Sequence, residues 1–484
     1  MLQPELAARR ADDSAQTVDL TSRVSLRLAE GADVGTLIAG SKLVVDRALA
    51  PQWFILQAPD AWTAAREAER LAALREVQAS HPVRRFPMRS AGPYAVRFND
   101  RFILNQWNLE NRDITGAQPG VDLNVRAAWP FSRGAGVVVA IADHGVDLAQ
   151  PEFVNPAAGQ PHFNFENQTT NGSPVLLGDN HGTAVAGYAV AQGNNGIGIS
   201  GVAPSGGLAS WKMLNGTEEA IGTMFQFMSN TVSVQNHSWL LSGTGLEAAS
   251  ELAESGFSNA VTFGRSGRGV IMVRASGNYR GSVTDVGVSR NGPQNANDQS
   301  YIADPRAITV AGVRITGRVA SYSTPGASVL VAAPVGDAGF PSLVTTDRRG
   351  SSVGYNAGIF YLDDSADYAF NSLSPQGTSF AAPQIAGLCA LLLGANTNLS
   401  IRDVQQLLVL SSRHFDFADR DLATNGAGLA VSHNLGFGVP DAGLAVRLAQ
   451  VWSNRPPATT LTLVSNVVRT IPDAGFLVRA SGTD

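Results

Sequence analysis

The feature that most constrains the fold is the uninterrupted apolar run GVVVAIA at residues 136–142. A run rich in β-branched residues is typical of a strand that is buried on both faces of a parallel sheet. Further apolar runs predict strands at Leu208–Leu214, Val232–Asn236, Gly269–Ala275, Ala307–Ala311 and Val329–Ala332. Helical patterns alternate with them, at His181–Ala191, Thr217–Met228, Gly245–Ser255 and Ile401–Leu410. This alternation predicts an α/β fold, a doubly wound and mostly parallel sheet with helices on both faces.

The N-terminal part of the chain has a different pattern, which predicts a separate small domain. Strand and helix signals follow one another in the order βαββαβ, at Arg23–Leu28, Val34–Ile38, Lys42–Asp46, Trp53–Gln57, Ala61–Gln78 and Val83–Phe86. Such a unit is a plausible small α+β domain that folds by itself. We therefore predict a disordered N-terminus at 1–21, this domain with its linker at 22–98, a main domain at 99–455 and a C-terminal segment at 456–484.

A basic connector joins the two predicted domains. Arginines and prolines are interspersed in it, at Pro82, Arg84, Arg85, Pro87, Arg89 and Pro93. Exposed segments of this composition are preferred sites of proteolytic cleavage, so we expect the chain to be cut there.

Composition argues against several classes of function. A net charge of −5 disfavours nucleic acid as the main partner, and the apolar runs are too short to predict a membrane span. The single cysteine, Cys389, lies in an apolar helix pattern and is predicted to be a buried structural thiol. Residues 1–20 contain acids and no apolar core of a secretory signal, so the chain is cytosolic, leaves by another route, or is given without its signal.

Three polar residues stand at the ends of predicted elements, where α/β folds gather their chemistry. Asp143 follows the first buried strand, His181 begins a helix, and Ser379 begins an apolar run that ends at Ala395. At a helix N-terminus the unpaired N–H groups favour negative charge, so Ser379 is suited to attack a carbonyl and help hold the resulting oxyanion. Each residue alone is more often an ordinary cap, but the three together favour nucleophilic catalysis.

Four segments resemble the signature segments of the subtilisin-like serine proteases (peptidase family S8), in that family's order. They are AIADHGVDLAQPEF around Asp143, NHGTAVAG around His181, RASGN ending at Asn278, and GTSFAAPQIAG around Ser379. The resemblance covers about residues 100–448, and NDRFILNQWNLEN at 99–111 is similar to the narrower kexin and furin branch. It implies a subtilisin-like fold and favours a secreted or periplasmic location.

The resemblance also implies the catalytic roles. Ser379 is the nucleophile, His181 the general base, and Asp143 the residue that orients the histidine. Asn278 and the Ser379 N–H donate to the oxyanion.

Two extended segments resemble the strands that line the family's substrate cleft, and they comprise Ser238, Trp239 and Leu240 on one side and Ala275, Ser276 and Gly277 on the other. The chain departs from the kexin and furin pattern at His144 and in WLLSGTGLEAAS at 239–250, which lacks the acidic cluster that reads paired basic residues. Dibasic specificity is therefore not predicted. Asp298 and Asp304 are either carboxylates at the base of the pocket that favour Arg or Lys, or solvated loop acids.

Calcium is the ion that the resemblance implies. The side chains of Asp100, Glu152 and Asn195 match the family's positions for one calcium site, and the carbonyl oxygens of Gln192, Ile197 and Ile199 complete the set. Hard oxygen ligands of this kind are what calcium requires.

The leading hypothesis is a serine endopeptidase made as a zymogen, which acts on protein or peptide substrates. Its N-terminal domain resembles the family's propeptide, and LVSNVVRTIPDAG near the C-terminus resembles the start of a β-sandwich P domain, which here would be truncated. The alternative is a catalytically silent protein that uses the same fold for binding. An α/β-hydrolase is rejected, because Ser379 lies in GTSFA instead of GxSxG and the order Asp, His, Ser differs. The stretch Pro334–Ser374 is predicted to be a surface insertion near the cleft.

Overall fold

The computed structural model describes most of the chain and divides it into two units. The described residues are 6–10, 13–85, 94–112, 120–241, 248–280, 284–285, 288–289, 295–359, 361, 363–370 and 374–456. The first unit is Met1–Gly92 and the second is Pro93–Asp484. This division falls inside the linker that the sequence predicts to end at residue 98. Residues 86–93 of the connector and the predicted C-terminal segment beyond residue 456 lie outside the described residues.

The first unit is an antiparallel sheet with two helices. Its elements are β1 (Leu6–Arg10), β2 (Asp13–Leu28), α1 (Val34–Ile38), β3 (Val44–Ala50), β4 (Trp53–Gln57), α2 (Ala61–Ala72) and β5 (Val77–Arg85). The long strand β2 pairs with β1, β4 and β5, and β4 also pairs with β3. Val24, Leu26, Leu56 and Leu71 belong to a core of the unit's own. The predicted order βαββαβ is confirmed from β2 to β5.

Strand β2 is longer than the sequence predicts. It begins at Asp13 instead of Arg23, so β1 and β2 together place most of the segment predicted to be disordered in strands. Asp19 pairs with Arg85 of β5, and the local sequence pattern does not indicate a pairing with so distant a residue.

Helix α2 is shorter than its helical pattern, which continues to Gln78. It ends at Ala72, and Val77 already belongs to β5, where it pairs with Leu28. Pairing with the sheet therefore overrides the helix propensity of these residues.

The second unit is built on one large parallel sheet. In chain order its strands are β6 (Val138–Asp143), β7 (Phe163–Asn164), β8 (Gly207–Lys212), β9 (Val232–His237), β10 (Ile271–Ala275), β11 (Thr284–Asp285), β12 (Val288–Ser289), β13 (Ala307–Val313), β14 (Val329–Pro334), β15 (Thr345–Thr346), β16 (Tyr368–Ala369), β17 (Ser412–Arg413), β18 (Ala423–Thr424), β19 (Ala430–Val431) and β20 (Val439–Pro440). Seven of them form a sheet in the order β14, β13, β10, β9, β6, β8, β7, and all neighbouring pairs in it are parallel. The others form two-stranded pairs.

Helices cover both faces of this sheet. They are α3 (Val154–Ala157), α4 (His181–Val190), α5 (Glu218–Gln226), α6 (Glu251–Gly267), α7 (Ser300–Ala303), α8 (Ala382–Ala395), α9 (Ile401–Ser411) and α10 (Ala442–Gln450). Alternate residues of β6 enter two different cores, with Val139 and Ile141 in one and Val138 and Ala140 in the other. The first core contains side chains of α4, α8, α9 and α10, and the second contains those of α5 and α6. The doubly wound fold is therefore confirmed.

Helix α8 runs through the first core, and its residues 382–393 are all buried. In the described part of the chain, the stretch Thr378–Ala395 is the one helix long and apolar enough to cross a membrane, and 83% of it is buried inside the protein. Cys389 is fully buried here, as predicted, and burial raises the pKa of its thiol.

Helix α6 lies farther along the chain than the predicted helix Gly245–Ser255, of which residues 245–247 lie outside the described residues. Its start is set by Ser250, whose hydroxyl oxygen accepts a hydrogen bond from the Ala253 N–H at 3.3 Å. The helical backbone is interrupted at Gly264–Ser266.

The stretch Pro334–Ser374 is predicted to be a surface insertion, and its described residues are in part exposed, as at Ser351, but are buried at 343–347 and 368–369. Thr345 and Thr346 of β15 donate their hydroxyls to the carbonyl oxygens of Ala184 and Thr183 in α4, at 2.6 and 2.7 Å. Tyr368 of the paired strand β16 is 1% exposed. Strand β15 therefore braces the helix that begins at His181.

Candidate active site

Asp143 and His181 meet at the carboxyl end of β6. Asp143 is the last residue of the strand and fully buried, and His181 is the first residue of α4. Gly182 allows this close approach, because a Cβ at that position would lie 2.4 Å from the Gly145 carbonyl oxygen. His181 Nδ1 lies 2.8 Å from Asp143 Oδ2 and 3.0 Å from Oδ1. The two side chains therefore form a hydrogen-bonded pair.

The carboxylate determines the tautomer and the basicity of His181. An ionised carboxylate only accepts hydrogen bonds, so Nδ1 carries the proton and Nε2 is left as an acceptor. Burial favours the neutral imidazole, but the charge and the hydrogen bond of Asp143 outweigh it and raise the pKa of His181. Asp143 Oδ1 also accepts a hydrogen bond from the His144 N–H at 2.7 Å. The histidine is thus oriented as a general base.

Ser379 lies in the 3-10 turn Thr378–Phe380, just before α8. Its hydroxyl donates to the Ser238 carbonyl oxygen at 3.1 Å, and the Ser238 hydroxyl donates to the Ser379 carbonyl oxygen at 2.7 Å. The ring of the adjacent Phe380 has its centroid 5.2 Å from that of His181. The structure therefore brings the three predicted catalytic residues together, although the Ser379 hydroxyl bonds to Ser238 and His181 Nδ1 to Asp143 instead of the two side chains bonding to each other.

Asn278 is held against the turn that carries Ser379. Its Oδ1 accepts hydrogen bonds from the Thr378 N–H at 2.8 Å and the Thr378 hydroxyl at 3.0 Å. The amide nitrogen is thereby left to donate elsewhere. Gly377 makes the contact possible, because its φ is +144° and a Cβ there would lie 3.1 Å from Asn278 Nδ2. An Asn amide fixed beside a serine is suited to stabilise an oxyanion.

The two predicted wall segments follow neighbouring strands of the sheet, β9 and β10, which end at His237 and Ala275. A narrow cleft beside them is lined by Leu240, Ser276, Gly277, Asn295, Asp298 and Thr324. Ser238 contacts Ser379 as described above. Trp239 contacts residues behind this wall, since its ring lies 5.5 Å from the Arg274 guanidinium and 6.2 Å from the Tyr301 ring.

The two candidate acids of the cleft differ in position. Asp298 lines the cleft, and its Oδ2 accepts a hydrogen bond from the Asn295 N–H at 3.1 Å. Asp304 is instead paired with Arg306, whose Nε donates to Asp304 Oδ1 at 2.9 Å. The suggestion that Asp304 reads a basic substrate is therefore not supported, because its charge is neutralised within the protein.

Asp100 and Glu152 bring two buried carboxylates together, at 3% and 0% exposed. Asp100 accepts hydrogen bonds from the N–H groups of Asn194 and Asn195, and Glu152 accepts from the Asn195 amide at 2.8 Å and the Ile199 N–H at 2.9 Å. Burial raises the pKa of Glu152 to about 7 against these hydrogen bonds, and the charge of Asp100 adds to the rise. Two such acids favour a nearby cation.

The remaining predicted calcium ligands fit a hard cation. The carbonyl oxygens of Gln192, Ile197 and Ile199 accept no hydrogen bond from the residues that the structure describes. Asn195 is the exception, because its Nδ2 donates to Glu152 while its Oδ1 accepts from the Ile197 N–H at 3.2 Å. This amide would have to turn for its oxygen to bind calcium.

A buried lysine near the pair was not identified from the sequence. Lys212 ends β8 opposite Asp143, is 2% exposed, and pairs with Asp179 at 2.9 Å and Glu166 at 3.4 Å. Asp179 in turn accepts from the Leu176 N–H, so the ion pair anchors the segment that leads to His181. A lysine inside a predicted buried strand was the signal that could have revealed it.

Several known proteins are similar to this chain. Residues 134–438 match the Peptidase S8 model, which describes the subtilase family. Neuroendocrine convertase 2 of Sus scrofa is 30% identical over 403 residues, which are 80% of this chain and 59% of that relative. Furin of Homo sapiens is 32% identical over 345 residues, which are 69% of this chain and 40% of furin. The chain thus spans about half the length of these curated relatives.

A solved structure is similar as well. The crystal structure of Aeromonas sobria serine protease in complex with the chaperone ORF2 has a TM-score of 0.67 and 26% identity, over 76% of this chain and 71% of that chain. The fold described above is therefore similar to that of this solved structure.

Proposed function

The chain belongs to the subtilase family, and from this we propose that it is a serine endopeptidase that uses Ser379, His181 and Asp143. The observation that carries the proposal is the hydrogen-bonded pair of Asp143 and His181 beside the turn of Ser379. Nucleophile, base and orienting acid are the parts that acyl transfer requires.

In the proposed reaction Ser379 Oγ attacks the scissile carbonyl carbon and His181 Nε2 accepts the hydroxyl proton. The Ser379 hydroxyl first turns away from the Ser238 carbonyl oxygen, and catalytic hydrogen bonds often form only when substrate is bound. Asp143 stabilises the imidazolium, which then gives its proton to the leaving amine. Water then attacks the same carbonyl carbon with the help of His181, and the acid product is released from Ser379.

The oxyanion is proposed to accept hydrogen bonds from Asn278 Nδ2 and the Ser379 N–H. Thr378 supports the first donor by holding Asn278 Oδ1 through two hydrogen bonds. Because this donor is held in place before the reaction, little reorganisation is needed in the transition state.

For the substrate we propose a basic residue, Arg or Lys, at the position before the scissile bond. Asp298 supports this, because it lines the cleft and one of its oxygens is not used by the Asn295 N–H. A carboxylate at such a position favours a cationic side chain.

The N-terminal unit is proposed to be an inhibitory propeptide, so that the chain is made as a zymogen. Its own apolar core and the basic connector after it support an independently folding segment that is cut off. The A. sobria protease was crystallised with a chaperone, and here the N-terminal unit would serve as a folding aid within the same chain.

Calcium is proposed to be held by Asp100, Glu152 and Asn195 with the carbonyl oxygens of Gln192, Ile197 and Ile199. Bound there, calcium supplies charge that offsets the two buried carboxylates, and it stabilises the loop that follows α4.

The test is to label the purified chain with a fluorophosphonate probe and to digest a peptide library in the presence of calcium. We expect one labelled serine and cleavage after Arg or Lys. Ser379→Ala should abolish labelling and lower the cleavage rate by several orders of magnitude. Ser351→Ala, at an exposed serine, should change neither labelling nor cleavage. Equal labelling of Ser379→Ala would refute the proposal.

A further inference from the structure

His144 brings a second imidazole to the catalytic carboxylate. Its ring Nδ1 lies 3.5 Å from Asp143 Oδ1, the same oxygen that accepts its backbone N–H. The ring as a whole is 32% exposed, yet Nδ1 is shielded from solvent and has no hydrogen-bond partner. The main chain here is fixed, because His144 bridges to Lys212 of β8. The ring nitrogen therefore lies beside the carboxylate without forming a hydrogen bond to it.

His181 approaches the same carboxylate from α4. Its Nδ1 lies 3.0 Å from Asp143 Oδ1, and the two histidine rings are perpendicular with centroids 6.2 Å apart. One ligand atom from each of Asp143, His144 and His181 lies within 4.8 Å of the other two. Two imidazoles and one carboxylate thus lie close enough to share one ion.

We propose that Asp143, His144 and His181 form an inhibitory site for a divalent transition metal, with Zn²⁺ as the ion that fits best. Imidazole and carboxylate together suit zinc, whereas calcium takes oxygen ligands only. Metal–ligand bonds of about 2.0–2.2 Å place the ligand atoms of a tetrahedral site roughly 3.3 Å apart. The distances of 3.0 and 3.5 Å from Asp143 Oδ1 to the two ring nitrogens lie on either side of that value. A water molecule takes the fourth position.

The surrounding charges permit a cation. Lys212 brings an ammonium close to the site, with its Nζ 3.4 Å from the His144 carbonyl oxygen. Asp179 and Glu166 neutralise it, at 2.9 and 3.4 Å. The Asp143 carboxylate, which is fully buried, therefore attracts the metal without a competing free cation from this side.

Metal binding gives His181 the wrong tautomer for catalysis. When the metal bonds to Nδ1, the Nδ1–H bond breaks and the proton moves to Nε2 of the same ring. Nε2 then carries a hydrogen and cannot accept the proton of Ser379. This inhibition rests on the proposed peptidase function, whereas metal binding itself does not.

Binding is tested on the full chain carrying Ser379→Ala, at constant calcium, by calorimetric titration with Zn²⁺. We expect one Zn²⁺ per chain, bound at least about tenfold more weakly after His144→Ala, because loss of even an outer-shell partner costs about 10–100-fold. His433→Ala is the matched control, since this exposed histidine is paired with Asp421. Unchanged affinity in the His144 variant would overturn the site.

Inhibition is tested on the chain with Ser379 intact, each variant being compared with its own activity without zinc. Zn²⁺ should inhibit reversibly, with recovery on chelation, and His144→Ala should raise the half-inhibitory concentration at least about tenfold. Inhibition that is equal in both chains would contradict the proposal. A chain that binds Zn²⁺ through His144 but hydrolyses no peptide would support the metal site and count against the proposed function.

Discussion

Tyr368 donates its hydroxyl to Glu152 Oε1 at 3.0 Å. This bond joins the stretch Pro334–Ser374 to the carboxylates of the proposed calcium site. The same stretch holds α4 through Thr345 and Thr346, so one segment contacts both Glu152 and the helix that begins at His181.

Tyr368→Phe should lower the free energy of unfolding by about 0.5–1.5 kcal/mol, the usual net contribution of one hydrogen bond. Denaturant unfolding measures the change. Tyr361→Phe is the control, because its ring contact with Phe370 does not involve the hydroxyl. Equal destabilisation by both variants would show that the bond to Glu152 contributes nothing.

Calcium should raise the melting temperature of the chain as its free concentration rises above the Kd, by mass action. Asp100→Ala should weaken this response, because one of the two buried carboxylates is lost. Asp421→Ala, which removes an acid paired with His433, should leave the response unchanged. A full calcium response in the Asp100 variant would remove this residue from the site.

Thr378→Val should lower kcat several-fold with little change in KM. The change removes the hydroxyl that donates to Asn278 Oδ1 and accepts from the Gly277 N–H, at 3.0 and 3.1 Å, so the oxyanion donor is held less firmly. Asn278→Ala should cost more, on the order of 10²–10³ in kcat. Thr378→Ser keeps the hydroxyl and should retain the rate, and a loss as large as that of the valine variant would contradict this role.

The pH dependence should reflect the raised pKa of His181. Activity needs the neutral ring, so kcat/KM should fall as the pH drops through a value above about 6.5, the ordinary pKa of histidine. In stability the sign is opposite, because a pKa raised by folding stabilises the chain at low pH and the gain is lost as the pH rises through the folded pKa.

NMR titration of His181 in the Ser379→Ala chain measures this pKa directly. Adding Asp143→Asn should lower the pKa, since burial remains while the carboxylate charge is lost. An unchanged midpoint would mean that Asp143 does not set the basicity of His181.

The connector should be cut during maturation. Mass spectrometry of the active protein should find a new N-terminus between Arg84 and Arg101, and Ser379→Ala should stay uncut if the cleavage is autocatalytic. A tethered segment has an effective concentration of roughly millimolar, so the uncut chain should be inhibited. Full activity with residues 1–98 still attached and folded would refute the propeptide role.

The sequence predicted the sheet and the positions of its polar ends because both are local signals. A strand buried on two faces needs an unbroken apolar run, as in β6, and the residue that follows lies at the edge where α/β folds bind their ligands. Asp143, His181 and Ser379 could therefore be placed near one another before any contact was known.

Features that depend on distant partners could not be predicted. Residues 13–21 have no strong strand pattern and are in a strand because β1 pairs with Asp13–Leu20, and β5 pairs with Asp19 and Leu20. The sequence alone does not distinguish Asp304 from Asp298. In the structure the charge of Asp304 is paired with that of Arg306. Lys212 is a single charge in an apolar run, and its role as one half of a buried ion pair depends on Asp179, which is distant in sequence.

The buried position of Cys389 has a practical consequence. It is the chain's single cysteine, it is fully buried in α8, and its thiol is held protonated by its surroundings. Maleimides and other thiol reagents should therefore leave the native chain unmodified. If one cysteine were introduced at an exposed position in each of the two units, a fluorophore or spin label would attach at those two positions alone. The distance between the units could then be followed in solution without first removing the native thiol.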